Sequence, residues 1–146
     1  MEVRGAGPLD ISALAHMLAE MHQQTELPVP PINTEKLITK INEAVHRGIV
    51  FIAFDDEGKM AGSVGGMIGN DWWSDQPYLA DLWFYVSPQH RKSSAALKLI
   101  KNFIQKANEA KLPVRLGHIF SGDLDRKDKF FERLGMTKAG SVFVEN

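Results

Sequence analysis

Apolar positions along this chain change period several times, and each change marks an element. Ile49 to Phe54 is an unbroken apolar run, and Asp55-Asp56-Glu57-Gly58-Lys59 turns it back into Met60 to Ile68, which predicts a hairpin. A second β-prone stretch, Leu79 to Val86, is rich in aromatic residues. Beyond it Ala96, Leu99, Ile100, Phe103, Ile104, Ala107 and Ala110 recur every three or four residues, the stripe of a long amphipathic helix that ends near Ala110-Lys111-Leu112, before Pro113.

The flanks follow the same logic. Residues 2 to 6 predict a short strand, and Asp10 or Ser12 caps a helix with Leu14, Met17, Leu18 and Met21 on one face. Leu27-Pro28-Val29-Pro30-Pro31 is a stiff extended connector. Asn33 then caps a second helix with Leu37, Ile38, Ile41 and Val45 inward and Gly48 at its end. After Pro113, Val114 to Phe120 predicts a strand, Asp125 or Asp128 begins a last helix that runs to Gly135, and Thr137 to Val144 predicts a final strand. Hairpins are antiparallel, whereas a strand–helix–strand unit over residues 79 to 120 is a right-handed crossover with parallel strands. The expected class is therefore α/β (α+β), a mixed sheet flanked by helices.

Composition narrows the partners. A chain of 146 residues with 44% hydrophobic residues is expected to form a single domain over residues 1 to 146. A formal net charge of −1 argues against nucleic acid or an anionic membrane as the principal partner. The absence of cysteine excludes disulfides, thiolate metal sites and a cysteinyl acyl-enzyme. No apolar run approaches the roughly 20 residues of a membrane span and the N-terminus lacks a signal-peptide core, so a cytoplasmic location is expected. No metal site is expected: His16 and His22 are six residues apart and do not share a face at the spacing of helical metal ligands.

The local charge is more informative. Arg91 and Lys92 stand where the long helix should begin, at the positive end of its dipole, and the small residues Ser93, Ser94, Ala95 and Ala96 follow. Unpaired N–H groups of a first helical turn, small side chains and two cations suit a phosphate or pyrophosphate. The plainer alternative is a helix capped by Ser93 or Ser94 with both cations solvated. The glycines at 62, 65, 66 and 69 match neither the phosphate-loop nor the dinucleotide spacing and suggest a bulge or close backbone approach. Trp72 and Trp73, in the polar loop from Asn70 to Pro77, either cover the core or line a site.

Val86-x-Pro88-x-x-Arg91-x-x-Ser94-x-Ala96 resembles the acyl-CoA signature V-x-P-x-x-R-x-x-G-x-G/A of the GNAT family of N-acetyltransferases, with Ser94 in place of a glycine. Phe130-Phe131-Glu132-Arg133-Leu134-Gly135-Met136 resembles the family's second motif. At this stretch the chain resembles phage- and bacterial-type members of the family. This resemblance implies the GNAT-like mixed, mostly antiparallel sheet. It implies transfer of an acetyl group from acetyl-CoA to an amine acceptor, with the pantetheine arm on backbone near Tyr85, Val86 and Ser87 and the pyrophosphate at Arg91 to Ala96. An acid within the aromatic strand makes Asp81 the candidate general base, with a carboxylate at a sheet end paired to a lysine or backbone group as the alternative. His118 is the reserve base. The family's usual general-acid tyrosine is matched here by Phe131, which donates no proton, and this fits a non-catalytic acyl-CoA-binding module as well as an enzyme. Compared with many members the chain lacks one terminal strand, so the edge either stays short or is covered by a second subunit in a homodimer.

Overall fold

The computed structural model describes residues 1–25, 29–117 and 124–145. Strand β1 (Glu2–Gly5) is followed by helices α1 (Ile11–Gln23) and α2 (Thr34–Arg47) and by the hairpin β2 (Ile49–Phe54) and β3 (Met60–Asn70). Then come β4 (Pro77–Val86), α3 (Ala95–Glu109), the short β5 (Val114–Arg115) and α4 (Leu124–Arg133). The five strands lie in sequence order; β1 to β4 are antiparallel and β4 pairs parallel with β5. This is the expected mixed, mostly antiparallel sheet.

Two-residue alternation along β2 explains why its run is apolar throughout. Val50 and Ile52 face α1 and α2, where they pack with Leu14, Leu18, Ile41, Ala44 and Trp83. Phe51 and Ala53 face α3, among Val64, Leu79, Leu99, Ile100 and Phe103. A central strand covered on both faces has no polar side to show. The cap expected at Asn33 is present, its side-chain oxygen accepting from Lys36 N–H at 3.0 Å. Ile38, expected inward, is exposed, and Ala44 takes the buried place beside Ile41.

Two other expectations need correction. Asp10 stands at the N-cap of α1, as expected, but its side chain makes no cap hydrogen bond there. Its carboxylate instead accepts two hydrogen bonds from Arg4, at 2.8 and 2.9 Å, and one from Gly7 N–H at 2.8 Å. The run Thr137 to Val144 forms no strand: no described strand pairs with it, and Val142, Phe143 and Val144 are exposed. β-propensity makes a strand only where an edge is offered in register. The part of the strand expected over Val114 to Phe120 that falls at 118–120 lies outside the described residues.

The hydrogen bond from Arg4, opposed by burial and aided by Gly7 N–H, pushes the Asp10 carboxyl down to about 2. A depressed carboxylate stabilises the fold above its unfolded value of about 3.9 and loses that contribution as pH falls through its folded value. Arg4 is half exposed, so screening limits the effect. Asp10→Asn is expected to cost about 1 kcal/mol at neutral pH. In urea unfolding at several pH values, the gap between parent and variant should be constant above about pH 5 and shrink between about pH 4 and 2; a gap that widens with acid contradicts this assignment.

Candidate acyl-CoA site

Strand β4 departs from regular pairing on both of its edges. On the β3 side Gly65 pairs with Trp83 but Gly66 pairs with Asp81, so Leu82 is an extra residue, a bulge, and its side chain is exposed. The expectation of a bulge or close approach at the glycines is met here. A Cβ on Gly65 would lie 2.2 Å from the Trp83 ring. The ring is buried there, and its indole N–H donates to Ser63 Oγ at 3.0 Å while Ser63 donates to Phe51 O at 2.8 Å.

On the other side, among the described residues, β4 pairs with β5 through Leu79–Val114 and Ala80–Arg115 only. At the next residue Asp81 Oδ1 accepts from Gly117 N–H at 2.9 Å, a side chain standing in for the ladder as the strands part. Beyond this point one backbone edge of β4 has no strand partner among the described residues. Ser87 N–H donates to Ala61 O on β3 at 2.9 Å, and Val86 O accepts from Arg91 Nε–H at 3.0 Å on the opposite side. By strand alternation the backbone groups of Phe84 and Val86 point to the open edge, and those of Tyr85 and Ser87 to β3.

The basic turn follows directly. Residues Pro88–His90 form a 3-10 turn and α3 begins only at Ala95, so Arg91 and Lys92 precede the helix and do not lie in its first turn. Ser94 occupies the N-cap position without a side-chain cap, while Ser93 Oγ accepts from Ala95 N–H at 3.2 Å. The backbone N–H groups of Lys92, Ser94, Ala96 and Leu97 find no acceptor among the described residues. Four such donors at the positive end of a helix fit the phosphates of an acyl-CoA.

Arg91 is braced as well as charged. Its Nη2 donates to Gln24 Oε1 at 3.0 Å, its guanidinium carbon lies 5.8 Å from the Tyr85 ring centre, and Tyr85 O–H donates to the same Gln24 oxygen at 3.0 Å. Gln24, at the end of α1, carries no sequence signal beyond being polar. From the other side α4 docks on β4, with Phe130 and Phe131 at 6.1 and 6.3 Å from Phe84 between ring centres. Lys127, one turn before those rings, has its amine lowered by burial and then by the Arg91 charge. It is a further cation of the site that sequence reasoning missed.

His118 lies outside the described residues. Trp72 and Trp73 do not cover the core: both are exposed and meet edge to face at 5.4 Å. Arg115 donates twice to Asp71, at 2.7 and 2.6 Å, and stacks over Tyr78 at 3.8 Å. Those hydrogen bonds hold Asp71 below the usual carboxylate range. Among the described residues no group of three His, Cys, Asp or Glu side chains could hold a metal ion, and no helix is long and apolar enough to cross a membrane.

The description "Acetyltransferase (GNAT) family" matches residues 13–136. The chain belongs to the GNAT family of acetyltransferases. No curated protein sequence matches it. Among solved structures, glucosamine-6-phosphate N-acetyltransferase from Arabidopsis thaliana aligns at 14% identity and a TM-score of 0.70, over 99% of this chain and 97% of that one. The ribosomal-protein-alanine N-acetyltransferase of Brucella melitensis aligns at 17% identity and 0.69, over 100% and 99%. AAC(6')-Iy, in complex with the bisubstrate analog CoA-S-monomethyl-acetylneamine, aligns at 16% and 0.70, over 99% and 96%. Identities this low speak for the GNAT fold and leave the acceptor open.

The GNAT strand β4 keeps its bulge only while Gly65 leaves room for Trp83. Gly65→Ala is expected to destabilise the protein by about 1–3 kcal/mol through overpacking. A urea midpoint equal to the parent's would show that the ring moves aside without cost.

Proposed function

We propose that this GNAT acetyltransferase transfers the acetyl group of acetyl-CoA to a primary amine by direct attack in a ternary complex, its whole length acting as one domain. The observation that carries this reading is the open edge of β4 at Phe84 and Val86, continuous with the unpaired amides of the turn at Lys92 to Leu97. The turn and Arg91 would hold the phosphates, and the strand edge the pantetheine arm. The amine nitrogen, giving up a proton to the general base, bonds to the thioester carbon; the C–S bond breaks, and CoA leaves as a thiolate that takes a proton from solvent.

Asp81 is the proposed general base, with His118 in reserve. Its carboxylate lies where β4 and β5 part, beside the exposed Leu82 bulge. A thiol of pKa about 8.5 leaves as thiolate with little help, so Phe131 at the usual tyrosine position is compatible with turnover. The second reading, a non-catalytic acyl-CoA-binding module, is favoured by that same Phe131, packed on Phe84.

Two measurements separate the readings. Saturation with acetyl-CoA at about 100 times its dissociation constant should add about 2.7 kcal/mol to stability, visible as a rise in Tm that Arg91→Ala diminishes. No rise at all would remove the cofactor site. Asn at position 81 keeps an oxygen for Gly117 N–H and removes only the charge. Asp81→Asn is therefore expected to leave CoA affinity intact and slow acetylation across an amine panel by about 10²–10⁴-fold. A parent that binds acetyl-CoA yet acetylates no amine is a binding module. The proposed cytoplasmic homodimer stands on the exposed run Val142–Val144, and a monomeric mass in light scattering would refute the dimer.

A further inference from the structure

The turn that offers its amides is anchored from behind by a side chain with no part in the transfer chemistry. His90 Nδ1 lies 2.7 Å from Ser87 Oγ, and its Nε2 lies 3.1 Å from Asp55 Oδ2 in the turn between β2 and β3, 35 residues away in sequence. All three side chains are largely covered: the imidazole is 13% exposed, the Asp55 carboxylate 22% and Ser87 only 4%. Asp55 is itself fixed, because its Oδ1 accepts from the N–H groups of Glu57 and Lys59, each at 2.9 Å. Those bonds, that of Lys59 foremost, hold the carboxyl below its usual range, so Oδ2 faces His90 as an acceptor only.

Ser, His and Asp in a row suggest a nucleophile, and the geometry excludes one. Ser87 Oγ is buried and lies 3.1 Å from Ala61 O, to which it donates in one arrangement of its single proton. A proton count gives the row a different use. With a doubly protonated ring, Nε2–H donates to Asp55, Nδ1–H donates to Ser87, and Ser87 donates to Ala61 O. With a neutral ring, Nε2–H still donates to Asp55 and Ser87 turns its proton to Nδ1, while Ala61 O retains the N–H of Ser87 at 2.9 Å. Every polar atom is satisfied both ways, and the bond to Asp55 is common to both.

The ring is tied directly to the backbone that shapes the anion site. His90 O accepts from both Ser93 N–H, at 3.0 Å, and the Ser93 hydroxyl, at 2.5 Å; Ser93 Oγ in turn accepts from Ala95 N–H. The carbonyl of His90 therefore sets Ser93, and Ser93 occupies the Ala95 donor, while the N–H groups of Lys92, Ser94, Ala96 and Leu97 have no acceptor among the described residues. We infer that His90 is a positioning residue for the acyl-CoA phosphates, its Nε2–H bond to Asp55 fastening the phosphate-binding turn to the β2–β3 hairpin. This rests on the placement of the pyrophosphate at the turn given under Proposed function.

The test compares dissociation constants for CoA, which has the pyrophosphate, and for S-acetyl-pantetheine, which has the thioester arm alone, with Tm measured alongside. His90→Ala should weaken CoA about tenfold, the worth of one hydrogen bond to a charged group, and leave S-acetyl-pantetheine within about twofold. His90→Gln, whose amide reaches the place of Nε2, should restore CoA affinity to within about threefold; His90→Asn, which reaches only the place of Nδ1, should not. The Gln–Asn contrast serves even if the alanine variant unfolds. A parent that fails to bind CoA overturns the placement of the phosphates, and this inference with it. A parent that binds CoA while His90→Ala binds it equally well overturns the positioning role alone. Equal weakening of both ligands, or equal rescue by Asn and Gln, also overturns it.

Discussion

Asp81 is the residue at which the sheet stops being a sheet. Parallel pairing between β4 and β5 lasts two residues, and then a carboxylate oxygen receives the Gly117 N–H that the next ladder bond would have used. A side chain longer than a backbone carbonyl holds the diverging strand at a distance. Among the described residues the edge of β4 from Leu82 to Val86 has no neighbouring strand for its hydrogen-bonding groups, and an extended ligand with its own amides is a chemically suitable substitute.

The other parts support that opening. Trp83 fills the space above Gly65 and donates to the buried Ser63, which fixes the bulge on the opposite edge of the same strand. Phe84 receives the aromatic rings of α4, and Tyr85 with Gln24 braces Arg91 from the α1 side. Successive β4 residues thus support one feature after another. The acyl-transfer chemistry asks little more of the protein than this geometry, because a thioester is already activated and the principal task is to place an amine beside it.

Much of this was legible in the chain. Period-two and period-3.6 patterns found β2, β3, β4, α1, α2 and α3 nearly to their ends, because each buries an apolar face whose period is written in its own local sequence. The motif from Val86 to Ala96 marked the turn now proposed to hold the phosphates, although the helix start was placed too early because propensity alone does not reveal that His90 O diverts Ser93. Long-range partners were not legible: Gln24 with Arg91, Lys127 with Arg91 and Asp55 with His90 join residues 35 or more positions apart. The strand expected at Thr137 to Val144 illustrates the converse. Its residues have the right propensity, but pairing depends on an edge that local pattern does not describe.

The central claim is that the open edge of β4 and the turn after it form one continuous acyl-CoA site. Residue-resolved amide hydrogen exchange with and without saturating CoA tests it most directly. The amides of Phe84, Val86, Ser94 and Ala96 should exchange at least about tenfold more slowly when CoA is bound, while those of Tyr85 and Ser87, already bonded to β3, should change little. Saturable CoA binding that leaves Phe84, Val86, Ser94 and Ala96 unprotected would contradict the account and place the ligand elsewhere on the molecule.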